Sequence, residues 1–322
     1  MDIKLASEKQ LERWDVFVDA SVNGTLFHKR RFLAYHKDKF EGREHYLLVL
    51  KGEEIFAQIS FATSRDEDGS LCGNSPYGAS YGGFVFCKPP SYQEGKEAVS
   101  LLIAYLRENN ISRFTLRQPP NFFCTSPIDL FIFNLLEAGF VTVHREIFNV
   151  VLFDKDVRVM DQLKSSVRTQ IRKAGQLGLR VDERAPLSDV YPLIERTIGK
   201  FGERPTHSRK ELQWLSDEFP REISFCAAYH EGTPIVAVTN FVLTPNIASS
   251  FYLSTDERYI KMNALRFIVG HVLQSAEERG FAAYDFGTST SGLDANEGLL
   301  HFKEQFSNGT LFRETLEWNR ER

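Results

Sequence analysis

No run of apolar residues in this chain approaches the roughly 18 that a membrane-spanning helix needs. The opening Met1-Asp2-Ile3-Lys4-Leu5 also lacks the apolar core of a signal peptide. The cytosol is the expected compartment, without integral membrane contact. Cysteine is scarce, and Cys72, Cys87, Cys124 and Cys226 form no close pair. They read as reduced structural thiols rather than metal ligands. Nor is there a surplus of positive charge. The 39 Lys and Arg face 43 Asp and Glu for a net charge of -4, which argues against a general nucleic-acid binder but leaves room for a local basic face. Sequons begin at Asn23 and Asn308, but glycosylation would need secretion, which nothing in the sequence supports. No sustained heptad pattern and no convincing Ser-His-Asp or Cys-His set is found.

What the chain does have is length for two domains and apolar residues enough for two cores, with 27 phenylalanines among its 322 residues. It reads as one unit written twice. In the first half, strand patterns run over His45 to Leu50, Ile55 to Ala62 and, after a polar insertion, Tyr81 to Phe86. A helix over Ala98 to Arg107 and a strand over Arg113 to Leu116 follow. The second half repeats the order with strands Ile223 to Tyr229, Ile235 to Leu243 and Ser249 to Ser254, helix Asn263 to Arg279 and strand Ala282 to Phe286. Setting Phe140 against Phe306 extends the parallel and puts Glu137 opposite Lys303. The charged group then has opposite sign in the two copies, and only the second carries a lysine.

The most specific local signal lies near the C-terminus. Tyr284-Asp285-Phe286-Gly287 reads as a strand stopping at a glycine and spilling into the hydroxyl-rich Thr288-Ser289-Thr290. A short amphipathic helix then carries Leu299, Leu300, Phe302 and Phe306. Lys303 is thereby a cation among apolar neighbours, either part of a solvated face or a charge kept for an anionic substrate or transition state. Asp285, at a strand's C-terminal end, is a candidate acid or base; the alternative is a carboxylate that caps the neighbouring turn. Between the copies, Asp161 to Gly178 reads as a helix burying Leu163, Val167, Ile171 and Ala174. Its other side carries Lys164, Arg168 and Arg172, with Lys173 beside them, either as a solvated basic face or as a phosphate clamp.

Taken in order, Arg168-Thr169-Gln170-Ile171-Arg172-Lys173-Ala174, Phe201-Gly202 with Pro205-Thr206-His207-Ser208, Tyr252-Leu253-Ser254-Thr255, Tyr284-Asp285-Phe286-Gly287 and Gly298-Leu299-Leu300-His301-Phe302-Lys303 resemble the Fem-like (FemAB-type) branch of the GNAT acyltransferase superfamily. The likeness extends to Phe27-His28-Lys29-Arg30-Arg31-Phe32-Leu33 and Tyr81-Gly82-Gly83. It implies an α+β fold of tandem GNAT-like domains, each a mixed, largely antiparallel sheet flanked by helices. The expected division is 1–155, non-catalytic and acceptor-binding, and 156–322, carrying the lysine.

The resemblance further implies an enzyme that moves an acyl or aminoacyl group to the amine of an amino sugar or cell-envelope precursor. Phe302 and Lys303 would lie near the reacting carbonyl, with Asp285 as the third candidate for catalysis. Arg168 or Arg172 would meet a substrate phosphate, and Tyr252, His207 and Tyr81 are further candidates for substrate binding. No tightly bound cofactor is implied; the co-substrate is acyl-CoA or, as in the Fem enzymes that build peptidoglycan bridges, aminoacyl-tRNA. The acceptor is a small or nucleotide-linked amine, with tRNA as an alternative partner. Acyl-CoA is placed first because the acidic balance gives tRNA no broad basic surface, although Arg258-Tyr259-Ile260-Lys261-Met262-Asn263 lacks both glycines of the usual GNAT pyrophosphate loop. A peptidoglycan bridge ligase and a non-catalytic binding module on a decayed GNAT fold are the alternatives.

Overall fold

The computed structural model describes residues 1–200 and 202–321, with Lys37 and Asp38 described in the backbone only. Phe201, the first residue of the Phe201-Gly202 pair, lies outside the described residues. The architecture is α+β, and the chain divides into two compact units, Met1–Glu146 with Phe312–Arg322, and Ile147–Leu311. The boundary expected at 155/156 thus falls earlier, and the last eleven positions are grouped with the first unit rather than the second.

The first unit orders its strands β1 (Asp2–Leu5), β2 (Glu44–Lys51), β3 (Glu54–Arg65), β4 (Leu71–Ser75) and β6 (Arg113–Leu116) side by side, while β5 (Gly83–Phe86) pairs with β3. β15 (Gly309–Asn319) supplies the next strand, its Leu316 opposite Leu116, which is why the C-terminal segment belongs here. Pairing is antiparallel except for β4 with β6. The short helices α1 (Glu8–Leu11), α2 (Trp14–Ala20) and α3 (Arg30–Leu33) lie between β1 and β2 in the chain. α4 (Tyr92–Glu108) starts at a capping box in which the Ser91 backbone N–H donates to Glu94 Oε2 at 3.0 Å. α4 and α5 (Asp129–Glu137) pack on a core of Phe61, Phe84, Phe86, Phe114 and Phe131. Truncating one such ring to Ala would cost about 3 to 5 kcal/mol.

The second unit takes up the end of β7 (Val141–Leu152), whose Leu152 lies opposite Ala283, and continues through β12 (Ala283–Thr288), β11 (Ile247–Thr255), β10 (Thr233–Thr244), β9 (Ile223–His230) and β8 (Arg180–Asp182). Here too one neighbouring pair, β11 with β12, is parallel and the rest antiparallel. α10 (Ala264–Glu278) connects that parallel pair and buries Ile268 and Leu273 against Val236 and Val238. α6 (Val159–Gln162), α7 (Ser165–Gly175), α8 (Leu187–Gly199), α9 (Arg209–Glu218) and α11 (Glu297–Glu304) complete the unit.

The duplication is visible as one recurring order: a hairpin, a third antiparallel strand, a helix, a strand returning parallel to the third, and a second helix. The third strand of the first copy is β4, not the Tyr81 to Phe86 segment. β4 reads as a polar insertion because Asn74 turns to hydrogen bonds with Thr115 (2.7 Å) and Ser64 (3.3 Å) instead of an apolar face. The Tyr81 to Phe86 strand itself begins only at Gly83. Gly83 has φ +90, and a Cβ there would meet Gln118 at 1.9 Å, so this glycine answers to the chain's own packing. The helix expected over Asp161 to Gly178 is broken, since Leu163 and Lys164 take ψ of 148 and 141 and separate α6 from α7. Its apolar set is nevertheless buried as read, at Leu163, Val167, Ile171 and Ala174.

Candidate active site

The end of β12 and the helix that follows it form the candidate site in the second unit. Asp285 is 3% exposed. Its Oδ1 accepts the Gly287 backbone N–H at 2.7 Å and its Oδ2 accepts the Ser249 hydroxyl at 2.9 Å. This bends the chain at Gly287, whose φ of +67 suits glycine. The chain then makes a small hairpin, β13 (Thr290–Ser291) and β14 (Asp294–Ala295), before Asn296 caps α11 by accepting the Leu299 N–H at 3.0 Å.

From α11, Lys303 returns to the bend. Its ammonium donates to the Gly287 carbonyl at 3.0 Å and to the Thr288 carbonyl at 2.7 Å, with 3% of the residue exposed. Asp285 thus holds Gly287 through its N–H, and Lys303 holds it through its carbonyl, in the next peptide group along. The Gly287 bond is that of a carboxylate capping the turn, the alternative read for Asp285. The buried location of Lys303 excludes the solvated-face alternative. Glu137, its counterpart when Phe140 is set against Phe306, has a side chain 35% exposed, paired with Lys96 at 3.6 Å and accepting from Tyr92 at 2.6 Å.

Phe302 packs against the second unit's core, 5.3 Å from the Phe306 ring, with the Arg266 guanidinium 5.7 Å over its own ring. Arg266 is held by Gln305 Oε1 and Asn263 Oδ1. Beneath the bend lies a polar set the sequence reading missed. Buried Asn149 donates to Ser307 and Thr310, each at 3.3 Å, and accepts from Ser289 at 3.5 Å. The hydroxyl-rich Thr288-Ser289-Thr290 was its one visible sign.

The structure joins two other candidates. His207 Nδ1 lies 3.0 Å from the Tyr252 hydroxyl, which also accepts the His207 backbone N–H at 3.2 Å. Burial pushes the Tyr252 phenol up to about 12, so it remains a neutral hydrogen-bonding group. His207 is itself 1% exposed, inside a ring cluster with Phe251 at 4.9 Å. Arg168 and Arg172 stand one turn apart on α7. Arg168, with 42% of its side chain exposed, reaches Asp161 at 3.4 Å. Arg172 is exposed and has no ion pair among the described residues. Tyr81, in the first unit, is 3% exposed and packs 5.0 Å from Phe123 and 6.2 Å from Phe27.

Where an ordinary GNAT chain would carry its pyrophosphate loop, Glu257–Met262 forms a tight 3-10 turn leading into α10. Arg258 folds back onto buried Asp256, with Nη2 to Oδ2 at 2.6 Å, and Arg196 binds the same carboxylate. The Arg258 hydrogen bonds hold the Asp256 carboxyl down at about 2. Among the described residues, no three His, Cys, Asp or Glu side chains come together as a metal site, and no helix is long and apolar enough to cross a membrane.

Residues 199–315 match the model of the FemAB family. No curated protein sequence matches the chain. Among solved structures, FemX superposes with a TM-score of 0.72 at 13% identity, covering 100% of this chain and 98% of its own. The C-terminal domain of a putative lysylphosphatidylglycerol synthetase from Agrobacterium fabrum gives 0.58 at 14% identity, covering 96% of this chain and 91% of that one. L-PGS from Bacillus licheniformis also gives 0.58, at 12% identity over 99% and 94%. At such identities the likeness is one of fold, and that fold is the Fem-type, GNAT-like one. The Fem-like resemblance read from the sequence is borne out over residues 199–315 by the family match, and the shared fold supports an enzyme of the acyl- or aminoacyl-transferring kind.

Proposed function

We propose that this chain acylates the amine of an amino sugar or cell-envelope precursor in the cytosol, by direct attack of the amine on a thioester or ester carbonyl. The observation that carries the reading is the buried Lys303 ammonium, fixed by the Gly287 and Thr288 carbonyls beside Phe302. In the first step the amine forms its bond to the carbonyl carbon and the C=O π pair moves onto oxygen. Collapse of that oxyanion re-forms C=O and expels the thiolate or alkoxide, which takes up a proton as the new amide nitrogen loses one. A preorganised positive charge near the oxyanion contributes on the order of 3 kcal/mol. The route needs no covalent nucleophile on the protein.

In this reading Asp285 is a positioning residue that fixes the bend offering its carbonyls to Lys303. Phe302 gives the reacting group a flat apolar wall. Arg168 and Arg172 take a phosphate of the acceptor, His207 and Tyr252 form a paired polar element of its binding surface, and Tyr81 serves the acceptor-binding first unit. A cell-envelope acceptor is supported by the name of the putative lysylphosphatidylglycerol synthetase whose C-terminal domain shares the fold.

For the donor, the commitment of Arg258 to Asp256 favours the second reading, aminoacyl-tRNA, over acyl-CoA: the arginine nearest the expected pyrophosphate position is already bound to a carboxylate. The FemAB match supports the same donor. The deciding experiment offers the full chain a UDP-linked amino sugar or amino-acid-bearing envelope precursor with either charged tRNA or acetyl-CoA, and detects the acylated amine by mass. Product from charged tRNA establishes the second reading, and product from acetyl-CoA the first. Binding of donor or acceptor without product from either donor would leave the non-catalytic module as the correct description.

A further inference from the structure

A cavity of about 170 Å³ lies in the second unit between α10 and the sheet. It is lined by Val242 near the end of β10, Ala248 near the start of β11 and Tyr284 near the start of β12. Lys303 holds the other end of β12, at Gly287 and Thr288, so Tyr284 is about 10 to 13 Å along the strand from those carbonyls. The cavity is therefore separate from the site proposed for acyl transfer.

Its wall is graded in polarity. Cys226, Ala248 and Ala276 make the buried side. Burial pushes the Cys226 thiol up to about 12, so that wall stays uncharged. One polar handle faces it. Asn240 Oδ1 accepts the Tyr284 hydroxyl at 2.5 Å, while the amide nitrogen of Asn240 donates to no described residue. The rim is cationic. Arg184 and Arg279 are exposed lining residues without a carboxylate partner among the described residues. Arg184 donates to the Pro220 carbonyl at 2.9 Å, and Arg279 lies 5.0 Å over the Phe281 ring. Glu183, the one acidic side chain of the lining, is engaged by His271 at 2.7 Å.

We propose that this cavity is a second small-molecule site, specific for a short-chain aliphatic carboxylate. The alkyl part fills the Cys226–Ala248–Ala276 side, and the carboxylate accepts from the Asn240 amide and from a rim guanidinium. The size fits this class, since about 170 Å³ lies below the roughly 300 to 1,000 Å³ usual for pockets of larger ligands. A phosphate would gain the rim charge but leave the apolar wall facing water. An alkylamine would fill the wall but meet two guanidiniums of its own sign.

Isothermal titration of the full chain with sodium butyrate, butylamine and inorganic phosphate tests this. Butyrate is expected to bind with a millimolar Kd, at least tenfold more tightly than either other probe. Arg279→Glu reverses an exposed rim charge without touching the core and should weaken butyrate at least tenfold; Ala276→Phe should abolish binding by filling the cavity. Lys303→Met should leave butyrate affinity unchanged. The proposal is overturned by absence of butyrate binding, by equal affinity for butylamine or phosphate, by an unchanged Kd in Arg279→Glu, or by loss of binding in a folded Lys303→Met protein. Since Arg279→Glu is exposed, the test stands even where the Ala276→Phe chain does not fold.

Discussion

Lys303 donates to the Thr288 carbonyl at 2.7 Å across the bend that ends β12, so this buried lysine is held by the backbone at the end of that strand. Carbonyl dipoles fix the ammonium in place and leave its net charge intact.

Lys303→Met keeps most of the side-chain volume and removes the charge. Two buried carbonyls then lose their donor, which costs about 1 to 3 kcal/mol of stability. Turnover of the remaining folded protein should fall by about 100-fold to 1,000-fold, the range for loss of an oxyanion donor. Activity that falls only in proportion to the folded fraction, measured by circular dichroism on the same sample, would remove Lys303 from the chemistry.

Asp285→Asn tests whether the carboxylate moves a proton or holds a bend. Asparagine Oδ1 can still accept the Gly287 N–H, while Ala can accept nothing. If Asp285 is a positioning residue, Asn should retain turnover within about tenfold with an unaltered pH profile, and Ala should lose both activity and about 1 to 3 kcal/mol of stability. A loss in Asn as deep as in Ala, together with disappearance of an acidic limb from the rate profile, would make Asp285 the general base.

Some of this was open to sequence reading and some was not. The hairpins, the amphipathic helices and the Phe140–Phe306 correspondence follow from periodicity, and both phenylalanines are 2% exposed. The capping box at Ser91 is local and equally legible. β4 was hidden because its polar residues satisfy one another across strands, and alternation carries no record of a partner such as Thr115. His207 and Tyr252 each stood out singly, but their hydrogen bond spans 45 positions. The transfer of residues 312–319 to the first unit depends on a pairing between Leu316 and Leu116 that no local pattern encodes. The break before Ser165 was invisible for the opposite reason, since the apolar spacing of an unbroken helix was kept across it.

His28 gives the first unit a pH dependence of known sign. Its Nε2 faces the Gly82 carbonyl at 3.0 Å and its Nδ1 faces the Thr25 backbone N–H at 3.1 Å, an arrangement that fits a neutral ring with the proton on Nε2. Burial holds it down at about 4, from an ordinary value near 6.5. The unfolded chain therefore takes up a proton between those values while the folded chain does not. This contribution to stability is fully present above about pH 6.5 and is lost progressively as pH falls to about 4, by about 3 kcal/mol in all. Urea unfolding at pH 7, 5.5 and 4.5 should show that decline, and His28→Gln should flatten it. An unchanged slope in the variant would place the titration elsewhere.

Arg168 and Arg172 separate binding from stability more cleanly than any buried residue can. Arg168 is half exposed and already paired with Asp161, while Arg172 is exposed and unpaired among the described residues. A surface pair of the Arg168 kind contributes about 0 to 1 kcal/mol, so neither Ala variant should shift unfolding by more than roughly that amount. Their effects on catalysis differ in the reverse order. Arg172 can offer its planar fork to a phosphate at once, whereas Arg168 must first leave Asp161. Arg172→Ala should raise KM for a phosphate-bearing acceptor by about 10-fold, with kcat unchanged, because a hydrogen bond to a charged group is worth about 1.5 to 3 kcal/mol and this one serves ground state and transition state alike. Arg168→Ala should raise it less. Higher salt should narrow the gap between wild type and Arg172→Ala, since exposed charges are screened within about 10 Å at 0.1 M. Steady-state kinetics of both variants at two ionic strengths decide the matter: an unchanged KM in each would return the row to the role of a solvated face.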